Sequence, residues 1–161
     1  MALSLNHYSI RTLDADACCA FYTRVLKMSA GPRPVFPFPG YWMYNGSHDN
    51  YANAVVHIIG IDKNDPEGLK KYLGNRSEAS LQGTGAVDHI AFFATGLVEM
   101  VEHLKSIAVP CRERTVPSVG LYQVFVDDPS GLVIELNYPA AEAVLLDAHR
   151  VERAPRAGTA S

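Results

Sequence analysis

Two stretches of this chain repeat one another, and the repeat limits the folds open to it. Leu5-Asn6-His7-Tyr8-Ser9-Ile10 and Val87-Asp88-His89-Ile90-Ala91-Phe92-Phe93 each read as an apolar residue, a short polar residue, a histidine and a strand. Each is followed by an amphipathic helix and then by short strands. Each copy ends in a strand with a metal-binding residue type at its middle. These are Val55-Val56-His57-Ile58-Ile59 in the first copy and Val133-Ile134-Glu135-Leu136-Asn137 in the second. His7 and His57 are 50 residues apart, and His89 and Glu135 are 46 apart. Such repetition means one supersecondary unit used twice.

The elements follow from local pattern. Residues 3–11 are expected as the first strand. Thr12-Leu13-Asp14 offers polar starters for a helix over 14–27, in which Cys18, Phe21, Tyr22 and Val25 recur at i, i+3, i+4 and i+7. Four prolines between Gly31 and Gly40 then force extended or turn backbone. Tyr41-Trp42-Met43-Tyr44 is a short aromatic strand, and Asn45-Gly46 opens a turn toward a strand over 52–60. Asp65-Pro66 starts a short helix that Gly74 ends.

In the second copy, strand 86–94 leads to a helix over 96–108 with Thr95 as its cap. Leu97, Met100, Val101, Leu104 and Ala108 form its apolar stripe. Strands follow near 111–115 and 120–127. Asp127-Asp128-Pro129-Ser130-Gly131 is a turn into strand 131–138. The order is βαβββ, linker, βαβββ, helix, tail. This is an α+β chain of two curved mixed sheets that pair around a cleft, with helices outside. One domain over 1–138 comprises module 3–60, linker 61–85 and module 86–138. Residues 139–161 are a C-terminal helix to about Val151 and a mobile tail with nothing to bury.

Composition removes several classes. At 161 residues and 48% hydrophobic content the chain has core enough for one domain. A net charge of −3 and a pI near 6.0 give no electrostatic case for nucleic acid or an anionic membrane. Its apolar runs are far short of a transmembrane span. The first residues lack the basic and apolar regions of a signal peptide. Cys18, Cys19 and Cys111 are an odd set with no framework spacing, which fits a reducing, cytoplasmic setting and core packing.

The chemistry rests on His7, His57, His89 and Glu135. A lone strand histidine is ordinarily a hydrogen-bonded side chain. A carboxylate between Ile134 and Leu136 is costlier to bury without a cation or a donor. Four such residues at repeat-equivalent positions are expected to be metal ligands. Imidazole and carboxylate suit one divalent ion: Zn, Ni, Mn, Fe or Co. Phe36, Phe38, Trp42 and Tyr44 are candidates to wall an apolar substrate pocket, with ordinary packing as the alternative. Gln123 and Phe125 share strand parity and are expected beside Glu135. Arg112 and Arg114 read as surface charge, with recognition of a carboxylate as the alternative, and His48, His103 and His149 as solvated.

The set resembles the vicinal oxygen chelate superfamily. That group comprises glyoxalase I, methylmalonyl-CoA epimerase, fosfomycin-resistance enzymes, type I extradiol dioxygenases and metal-free bleomycin-resistance proteins. The resemblance spans about residues 4–138. It is carried by Asn6-His7, Ala20-Phe21-Tyr22 with Val25-Leu26, Tyr41-Trp42-Met43-Tyr44 before Val56-His57-Ile58, Asp88-His89-Ile90-Ala91, and Phe125-Val126-Asp127-Asp128-Pro129-Ser130-Gly131 with Ile134-Glu135-Leu136.

The resemblance implies metal ligands at His7, His57, His89 and Glu135, a small substrate with adjacent oxygens, and a homodimer. Its glyoxalase-like branch is nearest, which implies lyase or isomerase chemistry through a metal-stabilised oxyanion, with His57 or Glu135, partly detached from the metal, or a metal-bound hydroxide as the catalytic base. An extradiol dioxygenase is an alternative, as is a bleomycin-resistance-like binding protein. Three departures bear on this choice. His57 stands where glyoxalase I has glutamate and the epimerase has glutamine. Val116-Pro117-Ser118 stands where ring-cleaving dioxygenases have a histidine, and Phe125 where they have a tyrosine.

Overall fold

The computed structural model describes residues 5–62, 64–74, 77–84 and 87–153. Along them run β1 (Tyr8–Thr12), α1 (Ala15–Arg24), β2 (Ser29–Gly31), β3 (Gly40–Tyr44), β4 (Ala54–Gly60) and α2 (Pro66–Leu73). Then follow β5 (His89–Phe93), α3 (Leu97–Ser106), β6 (Arg112–Val116), β7 (Leu121–Asp127), β8 (Val133–Pro139) and α4 (Ala141–Arg153). The βαβββ order occurs twice, as the repeat requires. Expected strand residues 3, 4 and 86 and tail residues 154–161 lie outside the described residues.

Contacts divide the chain into two compact units. One is Met1–Asp88 with Asp127–Leu132, and the other is His89–Val126 with Val133–Ser161. Each holds a four-stranded sheet, ordered β1-β4-β3-β2 in the first and β5-β8-β7-β6 in the second. In each sheet the first strand of the unit lies parallel to the last, and helix α1 or α3 stands between the first two strands of its copy.

In the first unit, β4 alternates strictly. Ala54, Val56, Ile58 and Gly60 are buried, while Val55, His57 and Ile59 are half-buried on the other face. Helix α1 packs against β2, β3 and β4. Its stripe holds Cys18, Tyr22 and Val25 in the core, with Phe21 half-buried. Each fully buried aliphatic of this layer, such as Val56 or Ile58, contributes about 1.5–3 kcal/mol. Asp14 caps α1, its side chain accepting from Ala17 N at 2.8 Å.

A buried polar chain closes this unit. Tyr8 Oη donates to Tyr22 Oη at 3.4 Å, and Tyr22 Oη donates to Asp128 Oδ2 at 2.9 Å. Asp128 Oδ1 accepts from Ser130 N and Leu132 N, each at 2.9 Å. Gly131 N donates to Asp128 O at 3.0 Å, which makes the expected turn with Pro129 at its second position.

In the second unit, Leu97, Leu104 and Leu146 are buried and α3 packs on α4. Thr95 is not the cap of α3. Gly96 occupies that position with φ 82, and the Glu142 carboxylate accepts from Gly96 N at 2.9 Å and from Leu97 N at 2.7 Å. His149 also departs from expectation: it is half-buried, with Nε2 3.5 Å from Glu102 Oε1. The short strand β2 has no pattern of its own in the sequence. Three residues are too few for a period to show. Among the described residues no helix is long and apolar enough to cross a membrane.

Candidate functional site

The second sheet gathers a carboxylate and an imidazole. β5 and β8 run parallel with Ala91 opposite Glu135, and His89 stands two residues before Ala91 on the same face. His89 Nε2 is 3.4 Å from Glu135 Oε2. Glu135 is 5% exposed, so its carboxylate depends on protein donors. Oε1 accepts from Gln123 Nε2 at 2.9 Å and from Asn137 Nδ2 at 2.6 Å. Gln123 Nε2 also donates to Asn137 Oδ1 at 2.9 Å. Arg114 in turn donates to Gln123 Oε1 from Nε at 2.8 Å and from Nη2 at 2.6 Å. Its guanidinium lies 5.1 Å from the Phe125 ring centre. Arg114 is therefore a member of this network rather than surface charge. One carboxylate oxygen is held, and the other is turned toward His89.

This spacing fits a metal ion. Two ligand atoms about 2.1 Å from one ion, at angles between octahedral and tetrahedral, are about 3.0–3.4 Å from each other. The His89–Glu135 pair has that separation.

The first sheet gathers two imidazoles in the same register. β1 and β4 run parallel with Ser9 opposite His57, and His7 stands two residues before Ser9. His7 and His57 stack with ring centres 3.8 Å apart and planes 20° apart. On its other face His57 stacks on Trp42 at 4.0 Å and 3°, because Trp42 is its antiparallel partner on β3. Burial pushes the His57 pKa down to about 4, and the neighbouring His7 adds to the shift. A backbone hydrogen bond with Ala54 opposes it. His57 is thus neutral near pH 7, the form that ligates metals. His7 Nδ1 is 2.6 Å from Asn6 Oδ1, a pairing that leaves Nε2 outward when Nδ1 carries the proton. In-plane lone pairs of two rings so nearly parallel do not converge. Exposed His7, not the clamped His57, is the ring with room to turn.

A cavity of about 550 Å³ opens beside this pair. His7, Ser9, Phe36, Phe38, Trp42 and His57 line it, joined by Arg33 and Tyr51. Phe36 and Phe38 stack at 5.1 Å, and Trp42 meets Tyr51 edge-on at 5.6 Å. Tyr44 is not among the lining residues. The register shifts between Met43 and Tyr44, so both turn to the buried face. Tyr44 Oη donates to Pro32 O at 2.7 Å, and its ring packs beside His48.

Of the residues singled out in the sequence, the structure pairs His7 with His57 and His89 with Glu135. It seats Phe36, Phe38 and Trp42 at one cavity and Gln123 on Glu135. Among the described residues no group of three or more His, Cys, Asp and Glu side chains is gathered for one ion. Asn137, Arg33 and Tyr51 were not among the candidate site residues. Asn137 alone left a signal, its parity with Glu135 on β8.

Two sheets of βαβββ order, each presenting a donor pair in one shared register, define a class of repeated-module protein. The chain belongs to the Glyoxalase/Bleomycin resistance protein/Dioxygenase superfamily, whose sequence profile matches residues 4–136. No curated protein sequence matches it. Solved structures share the fold. The trypanothione-dependent glyoxalase I of Leishmania major is 21% identical, covering 94% of this chain and 98% of its own, with a TM-score of 0.60. A lactoylglutathione lyase from Agrobacterium tumefaciens is 18% identical over 86% and 95%, with a TM-score of 0.55. A mutant of the fosfomycin resistance protein FosX from Listeria monocytogenes, complexed with Mn(II) and 1S,2S-dihydroxypropylphosphonic acid, is 16% identical over 90% and 98%, with a TM-score of 0.56.

Proposed function

We propose that this protein is a metal-dependent, glyoxalase-like enzyme. It carries out lyase or isomerase chemistry on a small molecule with adjacent oxygens, with His7, His57, His89 and Glu135 as metal ligands. The observation that carries this reading is the His89–Glu135 pair. A buried carboxylate has one oxygen saturated by two amide donors and the other 3.4 Å from an imidazole nitrogen. A divalent ion (Zn, Ni, Mn, Fe or Co) would supply the positive charge that stabilises a developing oxyanion.

The chain's own groups do the rest. Gln123 and Asn137 fix Glu135, and Arg114 fixes Gln123. Trp42 holds one face of the His57 ring, and His7, which stacks on the other, would turn from it to reach the ion. Burial keeps that ring unprotonated, so His57, when partly detached from the ion, would have a lone pair to accept a proton from carbon. Glu135 is the second acceptor. The aromatic cavity beside His57 takes the apolar part of the substrate. The relatives named for lactoylglutathione lyase and glyoxalase I activity support the lyase or isomerase reading, and the Mn(II) complex supports a divalent ion. Membership of the superfamily also carries the expectation of a homodimer.

The test is exchange of carbon-bound hydrogen. Metal-loaded protein with hydroxyacetone in D2O is expected to speed deuterium uptake, seen by NMR, and Glu135→Ala and His57→Ala to abolish the acceleration. Uptake of O2 with Fe²⁺ and a catechol, without such exchange, would instead make the protein a ring-cleaving dioxygenase.

A further inference from the structure

The cavity beside His7 and His57 contains a cation that the metal chemistry does not use. Arg33 sits in the proline-rich segment between β2 and β3 and lines the cavity. Its Nη2 donates to Phe38 O at 2.8 Å. Its Cζ lies 5.2 Å from the Phe36 ring centre and 5.6 Å from that of Phe38. Two aromatic faces and one carbonyl therefore hold the guanidinium in place. Gly40 makes room for it. A Cβ there would stand 2.9 Å from Arg33 Nη1 and 2.0 Å from Ile58 O, and the Gly40 φ of +149 suits glycine alone.

No carboxylate of the described residues pairs with Arg33, and none lines the cavity. Burial moreover pushes the guanidinium pKa down, so the charge is partly desolvated without a counter-ion. A guanidinium presents five donors in a planar fork, and one carbonyl uses one of them. The walls are Phe36, Phe38, Trp42 and Tyr51, and about 550 Å³ is the size of a pocket for a molecule of one or two rings. A cationic ligand would meet Arg33 with nothing acidic to offset it.

Resting on the reading of this cavity as part of the substrate site, we propose that it takes an aromatic carboxylate, the anionic group on Arg33 and the ring among Phe36, Phe38, Trp42 and Tyr51. The carboxylate is distinct from the pair of adjacent oxygens at the metal. Arg33 is then a specificity-determining residue, and substrates lacking the anionic group are the poorer ones.

Trp42 is the sole tryptophan of the chain, so its emission reports on this cavity directly. The full chain, freed of metal with a chelator, is titrated with phenylacetate, phenylacetamide and acetate. Phenylacetate is expected to bind about tenfold tighter than phenylacetamide, ~1.4 kcal/mol, with acetate leaving the emission unchanged. Arg33→Gln is expected to erase the preference for the acid while leaving the amide's affinity as it was, and Arg33→Lys to restore part of it. Equal affinity for acid and amide, or a preference that survives in Arg33→Gln, would overturn the proposal. If Arg33→Gln fails to fold, the comparison of acid with amide in the unaltered chain still decides.

Because no metal is present, a failure here leaves the metal-enzyme reading standing. Tight acid binding by a protein that never takes up metal would sink that reading and leave this one intact.

Discussion

His89 Nε2 lies 3.4 Å from Glu135 Oε2, and the register that brings them together is the one that brings His7 onto His57. In both sheets the first-strand histidine stands two residues ahead of the partner of the last-strand residue: Ala91 opposite Glu135, and Ser9 opposite His57. Parallel pairing fixes this offset, since a one-residue slip would turn each pair to opposite faces. The chemistry of the pairs differs while their geometry repeats.

Gln123 holds Glu135 in place, so Gln123→Leu tests the support of the site. The substitution takes one of two donors from Glu135 Oε1 and leaves a buried oxygen under-satisfied. Metal affinity is expected to fall about 10–100-fold, the usual effect of losing a group that orients a ligand. Stability should fall by about 1–3 kcal/mol. A competition titration with a chromophoric chelator and a urea melt measure the two. Unchanged metal affinity would make Gln123 a packing residue only.

The Trp42–His57 stack gives a spectroscopic prediction. An open-shell ion such as Co²⁺ on His57 stands next to the single indole and is expected to quench its emission with saturable, one-site behaviour. His57→Ala should abolish the quenching. Quenching that persists in that variant would place the ion elsewhere.

Tyr22→Phe removes the donor to Asp128 Oδ2 and the acceptor of Tyr8 Oη. Its expected cost is about 1–3 kcal/mol in a denaturant melt. Alkaline pH acts on the same groups. Burial, first among the causes, raises the Tyr22 and Tyr8 pKa values far above the usual phenol value of about 10. The unfolded chain therefore loses these protons first. The contribution is complete below about pH 10 and is lost as pH rises beyond it. Tyr22→Phe should flatten the fall in stability above that pH, followed by circular dichroism. An unchanged slope would contradict the buried pair.

Glu142 caps α3 from 46 residues away, and Glu142→Ala is expected to destabilise the protein by about 0.5–2 kcal/mol. The check is a thermal melt of both proteins. Thr95→Ala, by contrast, should be nearly neutral.

That contrast shows where the sequence was legible. Local period and repeat are written in neighbouring residues, so the βαβββ order, the Cys18–Tyr22–Val25 stripe, the Asp65-Pro66 helix start and the turn at Pro129 could all be read. Glu142 could not be read as a cap, because a cap supplied from another helix leaves no mark near residue 96. Tyr44 shares parity with Trp42, yet the register shift after Met43 turns it into the core, and a bulge has no signature in an aromatic run. Asn137 sits two residues from Glu135 on one face, which parity allows, but its bond to the carboxylate depends on rotamers. Arg33 lay hidden among prolines, where no period points to a cavity.

The most direct test of the account is metal content. The untagged protein and its Glu135→Ala variant are purified side by side and measured by plasma mass spectrometry, with circular dichroism to confirm the fold of both. About one divalent ion per chain is expected, lost in the folded variant. An unchanged metal content in Glu135→Ala, or none in either protein after reconstitution, would contradict it and leave the aromatic cavity as the site of a binding protein.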